Sequence, residues 1–263
     1  MRFTILAAEW NAKLVALAKV MNSKVALPIY STFLLELKDG VLRITASDMD
    51  CSRCSTLPVM DMDRANEHNG SLCVTASFLL DSLKNLGDQP VTFEADEENL
   101  SVVIRYNNGQ FDMVGFPAKD YALPGTMGKS VQVTIEASVL NDSIGKSLYA
   151  VGNDDLRPIF SGIYFTKKGD ELQCATTNGS MLVRNTYKVE NDGQEYSFLL
   201  HSRAAKIVRS MTSKSDEKVQ VFITEREVAF QTETDYFRTR LIEGKYPNYN
   251  ATLLFITFAK ATN

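Results

Sequence analysis

The residues best suited to metal or nucleophilic chemistry in this 263-residue chain are four cysteines and two histidines. Cys51-Ser-Arg-Cys54, with His68 and Cys73 downstream, has a spacing that can ligate zinc through thiolates and an imidazole. The competing reading is packing: these cysteines flank stretches needed as strands, and a buried thiol behaves as a small hydrophobe. Cys174 sits mid-strand in the same way. Asp48, Asp50, Asp61 and Asp63 offer paired carboxylates of the kind used for acid–base work, yet acids in a connecting loop of an acidic protein mostly solvate it. Neither His68 nor His201 lies near a serine or cysteine in a nucleophile setting such as G-x-S-x-G. Walker, G-x-G-x-x-G and H-E-x-x-H patterns are missing as well. These residues point away from catalysis, a metal or a cofactor, and toward binding.

The remaining chemistry is charge. The chain is 44% hydrophobic and 23% charged, with a net charge of −4 and a pI near 5.4. That acidity excludes a protein coating nucleic acid with its whole surface, and leaves room for one basic face. Residues 9–24 carry Lys13, Lys19 and Lys24 against Glu9, and residues 75–86 balance Asp81 with Lys84. Residues 136–150 hold Glu136, Asp142 and Lys146, whereas residues 201–214 hold Arg203, Lys206, Arg209 and Lys214 with no acid. These four stretches, all read as helical, net +5, which leaves −9 for the rest. Clustered helices with surplus Lys and Arg make a sequence-blind phosphate-facing surface. Charge on an amphipathic helix is more often only a solvated face, and the stretch 202–214 is the one emphatic case.

The elements that must position these charges are stated twice. Leu27–Leu35, LPIYSTFLL, returns 130 residues later within Leu156–Phe165, LRPIFSGIYF: Pro28 falls on Pro158, Ile29 on Ile159 and Ser31 on Ser161. Thr4-Ile5 falls on Thr134-Ile135 and Leu42 on Leu172 at the same spacing. So long a period means a duplicated domain rather than a solenoid. Alternation predicts strands at Arg2–Leu6, from Pro28 onward, at Val41–Thr45 and at Arg53–Met60. Apolar spacing predicts a helix near Ala8–Met21 and another at Ser77–Leu86, with Thr75 as its N-cap and Gly87 ending it. The second half repeats the order, with helices near Ala137–Val151 and Ser202–Ser213. The expectation is an α+β fold: domains at 1–118 and 130–249, each with two helices on one side of antiparallel sheets, and a linker at 119–129. The tail 250–263 contains the apolar β-prone run LLFITF, an aggregation hazard if exposed.

No run reaches the roughly eighteen apolar residues of a membrane span. Glu9, Asn11 and Lys13 interrupt any signal-peptide core. A cytoplasmic protein with reduced thiols and no membrane partner is expected.

The segments MRFTIL, LPIYSTFLLELKDGVLRITASD, LRPIFSGIYF, TTNGSMLVRN and LIEGKYPNY resemble the bacterial DNA polymerase III beta subunit, the beta sliding clamp, in its Bacteroides-type form. The resemblance runs from residue 1 to about Tyr249. It implies DNA-clamp domains whose helices line a hole around duplex DNA, in a ring oligomer that tethers the replicative polymerase, a non-catalytic processivity factor of DNA replication in the cytoplasm, at the nucleoid. By position it implies DNA contacts at Lys24 and Arg203. Charge adds Lys206, Arg209, Lys214, Lys13, Lys84 and Lys146; at Ser77 the family often has a basic residue. It further implies a pocket that takes a short hydrophobic motif of polymerase and clamp-loader subunits, at Arg157, Phe160, Thr177, Gly179, Leu182 and Pro247. This chain departs from the family in two places. The family's Gly-His-Arg/Lys-Leu is Gly179-Ser180-Met181-Leu182 here, and after Tyr249 the family's third domain is replaced by residues 250–263. The alternative expectation is a divergent clamp paralog that binds a partner without encircling DNA.

Overall fold

The computed structural model describes residues 1–21, 27–60, 69–153, 156–213 and 217–249. Lys24, Asp61, Asp63, His68, Lys214 and the apolar tail lie outside the described residues. The first series of elements is β1 (Arg2–Leu6), α1 (Ala7–Ala18), β2 (Thr32–Lys38), β3 (Val41–Ser47), β4 (Cys51–Pro58), β5 (Gly70–Thr75), α2 (Ala76–Leu83), β6 (Pro90–Ala95), β7 (Ser101–Tyr106), β8 (Gly109–Val114) and the short β9 (Phe116–Pro117). The second is β10 (Val131–Glu136), α3 (Ala137–Ser147), β11 (Gly162–Lys168), β12 (Glu171–Thr177), β13 (Leu182–Lys188), β14 (Tyr196–His201), α4 (Ser202–Thr212), β15 (Lys218–Ile223), β16 (Glu227–Gln231) and β17 (Asp235–Arg240). Apart from β9 the two series match element for element.

Backbone proximity gathers the chain into two compact units. Unit 1 is Met1–Met127 with Ala229–Thr239, and unit 2 holds Gly128–Val228 and the described residues from Arg240 onward. In unit 1, β1, β6, β7 and β8 form one antiparallel sheet in that order, with β8 at its edge. A second set runs β4-β3-β2-β5-β9, and β17 pairs antiparallel with β4. The two helices pack on each other, α1 also on β1, β3 and β4, and α2 also on β2 and β5. The predicted apolar stripe of α1 is what packs: Trp10, Leu14 and Leu17 are fully buried. Trp10 meets the Phe3 and Phe93 rings edge-on, at 5.4 and 5.8 Å between centroids, the arrangement ring quadrupoles favour. In unit 2 one sheet has the order β13-β12-β11-β14, and β10 pairs antiparallel with β15, whose other neighbour is β16. Here α3 and α4 pack on each other; α3 also packs on β10, β12 and β13, and α4 on β11 and β14.

Three local expectations are corrected. Pro28 does not open a strand: Pro28–Ser31 is a 3-10 turn, and so is Pro158–Ser161. Proline fixes φ for the first turn of a helix, and the hydroxyls of Ser31 and Thr32 close it by donating to the Pro28 and Ile29 carbonyls at 2.6 Å each. Thr75 precedes α2 without a side-chain capping bond. The stretch taken as linker begins with core, since Tyr121 is buried and its ring meets Tyr30 edge-on at 5.7 Å. Smaller shifts affect element ends: β4 begins at Cys51 and stops at Pro58, and α3 hands over to a 3-10 turn at Leu148–Ala150. The β2–β3 hairpin turns through Asp39 and Gly40, both at positive φ, as a two-residue turn between twisted strands requires.

Candidate nucleic-acid interface and peptide pocket

Arg203, Lys206 and Arg209 stand three residues apart on α4, a spacing that keeps side chains on one helical face. Ala204, Ala205, Ile207 and Val208 form the buried opposite face. Lys206 and Arg209 are exposed, Arg203 is half-buried, and no acid interrupts the helix. Arg209 also covers the neighbouring helix: a Cβ on Gly145 of α3 would sit 3.2 Å from its guanidinium. Asn141 of α3 donates to the Arg209 carbonyl at 3.0 Å. Glycine at 145 therefore lets the Arg209 guanidinium itself lie against α3.

His201 caps this helix, its Nδ1 accepting the Arg203 N–H at 3.1 Å. Partial burial lowers the pKa of His201, and the Arg203 and Lys206 cations lower it further. The cap needs the neutral ring. Because the folded-state pKa lies below the ordinary value, its stabilisation is present above that value and is lost as pH falls through the depressed one. His201→Ala is expected to cost about 1 kcal/mol in urea unfolding near neutral pH, and His201→Asn, which keeps an acceptor, much less. Equal losses in the two variants would disprove the capping role.

The other predicted DNA contacts are differently placed. Lys84 pairs with Asp81 at 2.7 Å and Lys146 with Asp142 at 2.6 Å, along their own helices. Asp142 also accepts from the Tyr187 hydroxyl at 2.9 Å. Lys13 belongs to a buried network in unit 1. Its ammonium lies 3.0 Å from Asp235 Oδ2 and donates to Thr234 Oγ1 at 3.0 Å. Arg53 donates to Asp235 Oδ1 through Nε at 3.0 Å and Nη2 at 2.7 Å, and through Nη1 to the Ala16 carbonyl at 3.1 Å. The Ser55 hydroxyl adds a bond of 2.5 Å to Oδ1. Burial alone would raise the Asp235 pKa; the Arg53 charge and the donors from Ser55, Lys13 and Arg53 overcome it and hold the carboxyl at about 2. Lys13 serves this joint, which a charge count along the sequence cannot reveal.

The six expected pocket positions all fall in unit 2, and of them only Pro247 lines the cavity that Tyr164, Tyr246 and Tyr249 share. The Arg157 guanidinium lies over the Phe160 ring, 5.1 Å from its centroid. The Thr177 hydroxyl donates to the Met181 carbonyl at 2.6 Å and accepts the Gly179 N–H at 3.0 Å, while Asn178 Oδ1 accepts the amides of Ser180 and Met181. That turn needs Gly179, whose φ is +95°. Leu182 packs with Ile159, Tyr164 and Ile242 on a buried cluster of Ala175, Leu199, Tyr246 and Tyr249. Tyr246 stacks on Tyr164 with centroids 4.8 Å apart, and burial pushes its hydroxyl pKa up to about 12. Pro247 and these tyrosines line a cavity of about 680 Å³ that also takes in Gln173. Met181 is 45% exposed at the rim. Sequence reasoning missed Tyr246, Ile242 and Gly152, where a Cβ would fall 3.1 Å from that of Phe160. The signal was the aromatic-proline run KYPNY, whose tyrosines flank the one residue chosen.

The described cysteines are all buried and free of disulfides. Cys54 Sγ accepts from Arg43 Nε at 3.0 Å, and the Cys51 thiol donates to Asp48 Oδ1 at 3.2 Å. Burial raises the Cys73 thiol to about 11 and Cys174 to about 12, which leaves them as protonated packing groups. Among the described residues no three of His, Cys, Asp or Glu gather to hold a metal, and no described helix is long and apolar enough to cross a membrane.

Residues 1–124 match the family model of the DNA polymerase III beta subunit N-terminal domain, and residues 134–248 match that of its central domain. The chain belongs to the DNA polymerase III beta subunit family. The beta sliding clamp of Bacillus subtilis is 25% identical over 252 residues, and that of Staphylococcus epidermidis 24% over 251. Each alignment takes in 94% of this chain, which spans 66% of the relative's length. Solved structures share the DNA-clamp fold. The Bacillus subtilis clamp superposes with a TM-score of 0.86 at 23% identity, covering 95% of this chain and 67% of that one. A Pseudomonas aeruginosa clamp bound to griselimycin gives 0.88 at 20%, with the same coverage. The matched central-domain region holds all six pocket positions and the whole of α4. The N-terminal match holds the Lys13 and Lys84 positions.

Proposed function

We propose that this chain is a sliding-clamp-type tether that holds replication machinery on duplex DNA without chemistry of its own. The observation that carries the reading is the acid-free stripe of Arg203, Lys206 and Arg209 on α4, in a chain of this family. Such a stripe meets phosphates and ignores bases, so it holds DNA loosely enough to slide. Lys24 and Lys214 extend the basic set in the sequence, and the paired Lys84 and Lys146 add little. A short hydrophobic segment of a polymerase or clamp-loader subunit docks at Arg157, Phe160, Thr177, Gly179, Leu182 and Pro247, beside the cavity that Pro247, Tyr164 and Tyr246 line. The tether works in the cytoplasm, at the nucleoid, and self-associates.

The test is retention on nicked circular DNA before and after linearisation. Protein that stays on circles and runs off the ends of linear DNA is topologically linked. Salt-sensitive binding indifferent to linearisation defeats the encircling reading and favours the second one, a clamp paralog that binds a partner; the Ser180-Met181 replacement at the pocket rim gives that reading its footing.

A further inference from the structure

Gly145 is the only glycine within the four described helices. A glycine inside a helix is poorer than alanine, because it loses more backbone freedom on folding. Its Cβ position lies 3.2 Å from Arg209 Cζ, 3.2 Å from Nη2 and 3.3 Å from Nε. A point so nearly equidistant from three atoms of a planar group lies over its flat face rather than at its edge. The Arg209 guanidinium is therefore laid face-down on the α3 backbone. Asn141, four residues before Gly145 and on the same helical face, donates to the Arg209 carbonyl at 3.0 Å. One residue holds the main chain of Arg209, and the other receives its side chain.

The other repeat ties this seat to the arginine. Counted from the helix starts, Ala137 and Ser202 correspond to Ala7 and Ala76. Asn141 then corresponds to Asn11, Gly145 to Val15 and Arg209 to Leu83. The asparagine is kept in both units, whereas the glycine occurs only where its neighbour is an arginine. Leu83 is buried. Arg209 is exposed, and its guanidinium donates to no acceptor among the described residues. One face of the group is packed, and the N–H donors around its rim are open. We infer that Gly145 and Asn141 are positioning residues that hold Arg209 as a pre-oriented fork for one backbone phosphate of duplex DNA, bound through two N–H donors at once.

The inference rests on the tether reading and sharpens it. Lys206, three residues earlier on α4, meets a phosphate as a point charge on a mobile stem. A guanidinium already seated on a backbone has less side-chain freedom left to lose on binding. Its parallel N–H groups also match two phosphate oxygens, a charge-assisted geometry roughly twice as strong as a neutral hydrogen bond. The helix thus combines a mobile contact with a fixed one. A fixed phosphate contact orients a protein on the duplex without reading a base.

The test is the affinity of the full chain for a duplex oligonucleotide across a salt series, with melting midpoints measured alongside. Arg209→Lys keeps the charge and loses the fork. Its affinity should fall about tenfold at fixed salt, while the slope of log affinity against log salt stays as it was. Gly145→Ala moves the guanidinium by a few tenths of an ångström and should cost less. Gly145→Leu fills the seat and should match Arg209→Lys. Neither glycine variant should melt earlier than the parent, since alanine and leucine are better helix residues. Adding Gly145→Leu to Arg209→Lys should cost nothing further. Full additivity of those two would mean that leucine merely obstructs the DNA, and an Arg209→Lys variant as tight as the parent would reduce the arginine to a point charge. Either result overturns the inference and is compatible with retention on nicked circles. Loss of that retention with the seat effects intact would defeat only the tether reading.

Discussion

Replacing Asp235 with alanine is expected to lower the unfolding free energy by about 3–5 kcal/mol, because it leaves the Arg53 guanidinium buried without its counter-ion. Arg53 side-chain exposure is 4% and that of Asp235 is 10%, so water cannot substitute for the missing carboxylate. Denaturant titration reads the loss directly. Replacing both partners, Arg53→Met with Asp235→Leu, should recover much of it, since apolar residues of similar size often match a buried pair in stability. A single-variant loss below about 1 kcal/mol, the range of surface pairs, would show that the network is wetter than its geometry implies. The pH dependence follows the same logic. With the folded pKa at about 2 and an unfolded value near 3.9, the contribution is complete above about pH 4 and disappears as pH falls toward 2. The Asp235→Ala variant should lack that acid limb.

The second large effect concerns DNA. Converting Arg203, Lys206 and Arg209 together to alanine is expected to flatten the dependence of log affinity on log salt by about 3, near 0.9 for each phosphate that the protein no longer neutralises. Alanine is the best helix former, so a folding defect does not account for such a change. Lys84→Ala and Lys146→Ala should each change the slope far less, because Asp81 and Asp142 already hold those ammonium groups. An unchanged slope in the triple variant would remove α4 from the DNA-facing surface.

What the sequence made legible was what recurs or alternates. The 130-residue repeat, the apolar stripe of α1 and the acid-free run of α4 are local patterns, and each has a structural counterpart. Interactions between residues distant in the chain were not legible. Lys13 meets Asp235 across 222 positions, and no helical charge count distinguishes an ammonium in an ion pair from one facing solvent. Tyr121 looked like linker because Pro124, Gly125 and Gly128 follow it, although its ring belongs to the core. Pro28 read as a strand start because its 3-10 turn depends on two hydroxyls folding back on carbonyls. At the candidate pocket, family positions supplied the rim, whereas Tyr246 and Ile242 emerge only when the last described segment is folded against β11 and β14.

Trp10 makes the molecule optically one-sided. It is the only tryptophan in 263 residues, and it lies fully buried in unit 1 between two phenylalanine rings. Emission excited at the red edge of indole absorption therefore reports on that unit alone, while far-ultraviolet dichroism sums the whole backbone. Coincident denaturation curves from the two probes would mean that both units melt as one cooperative body. Displaced midpoints would mean that they melt in sequence, and the sign of the displacement would tell which gives way first.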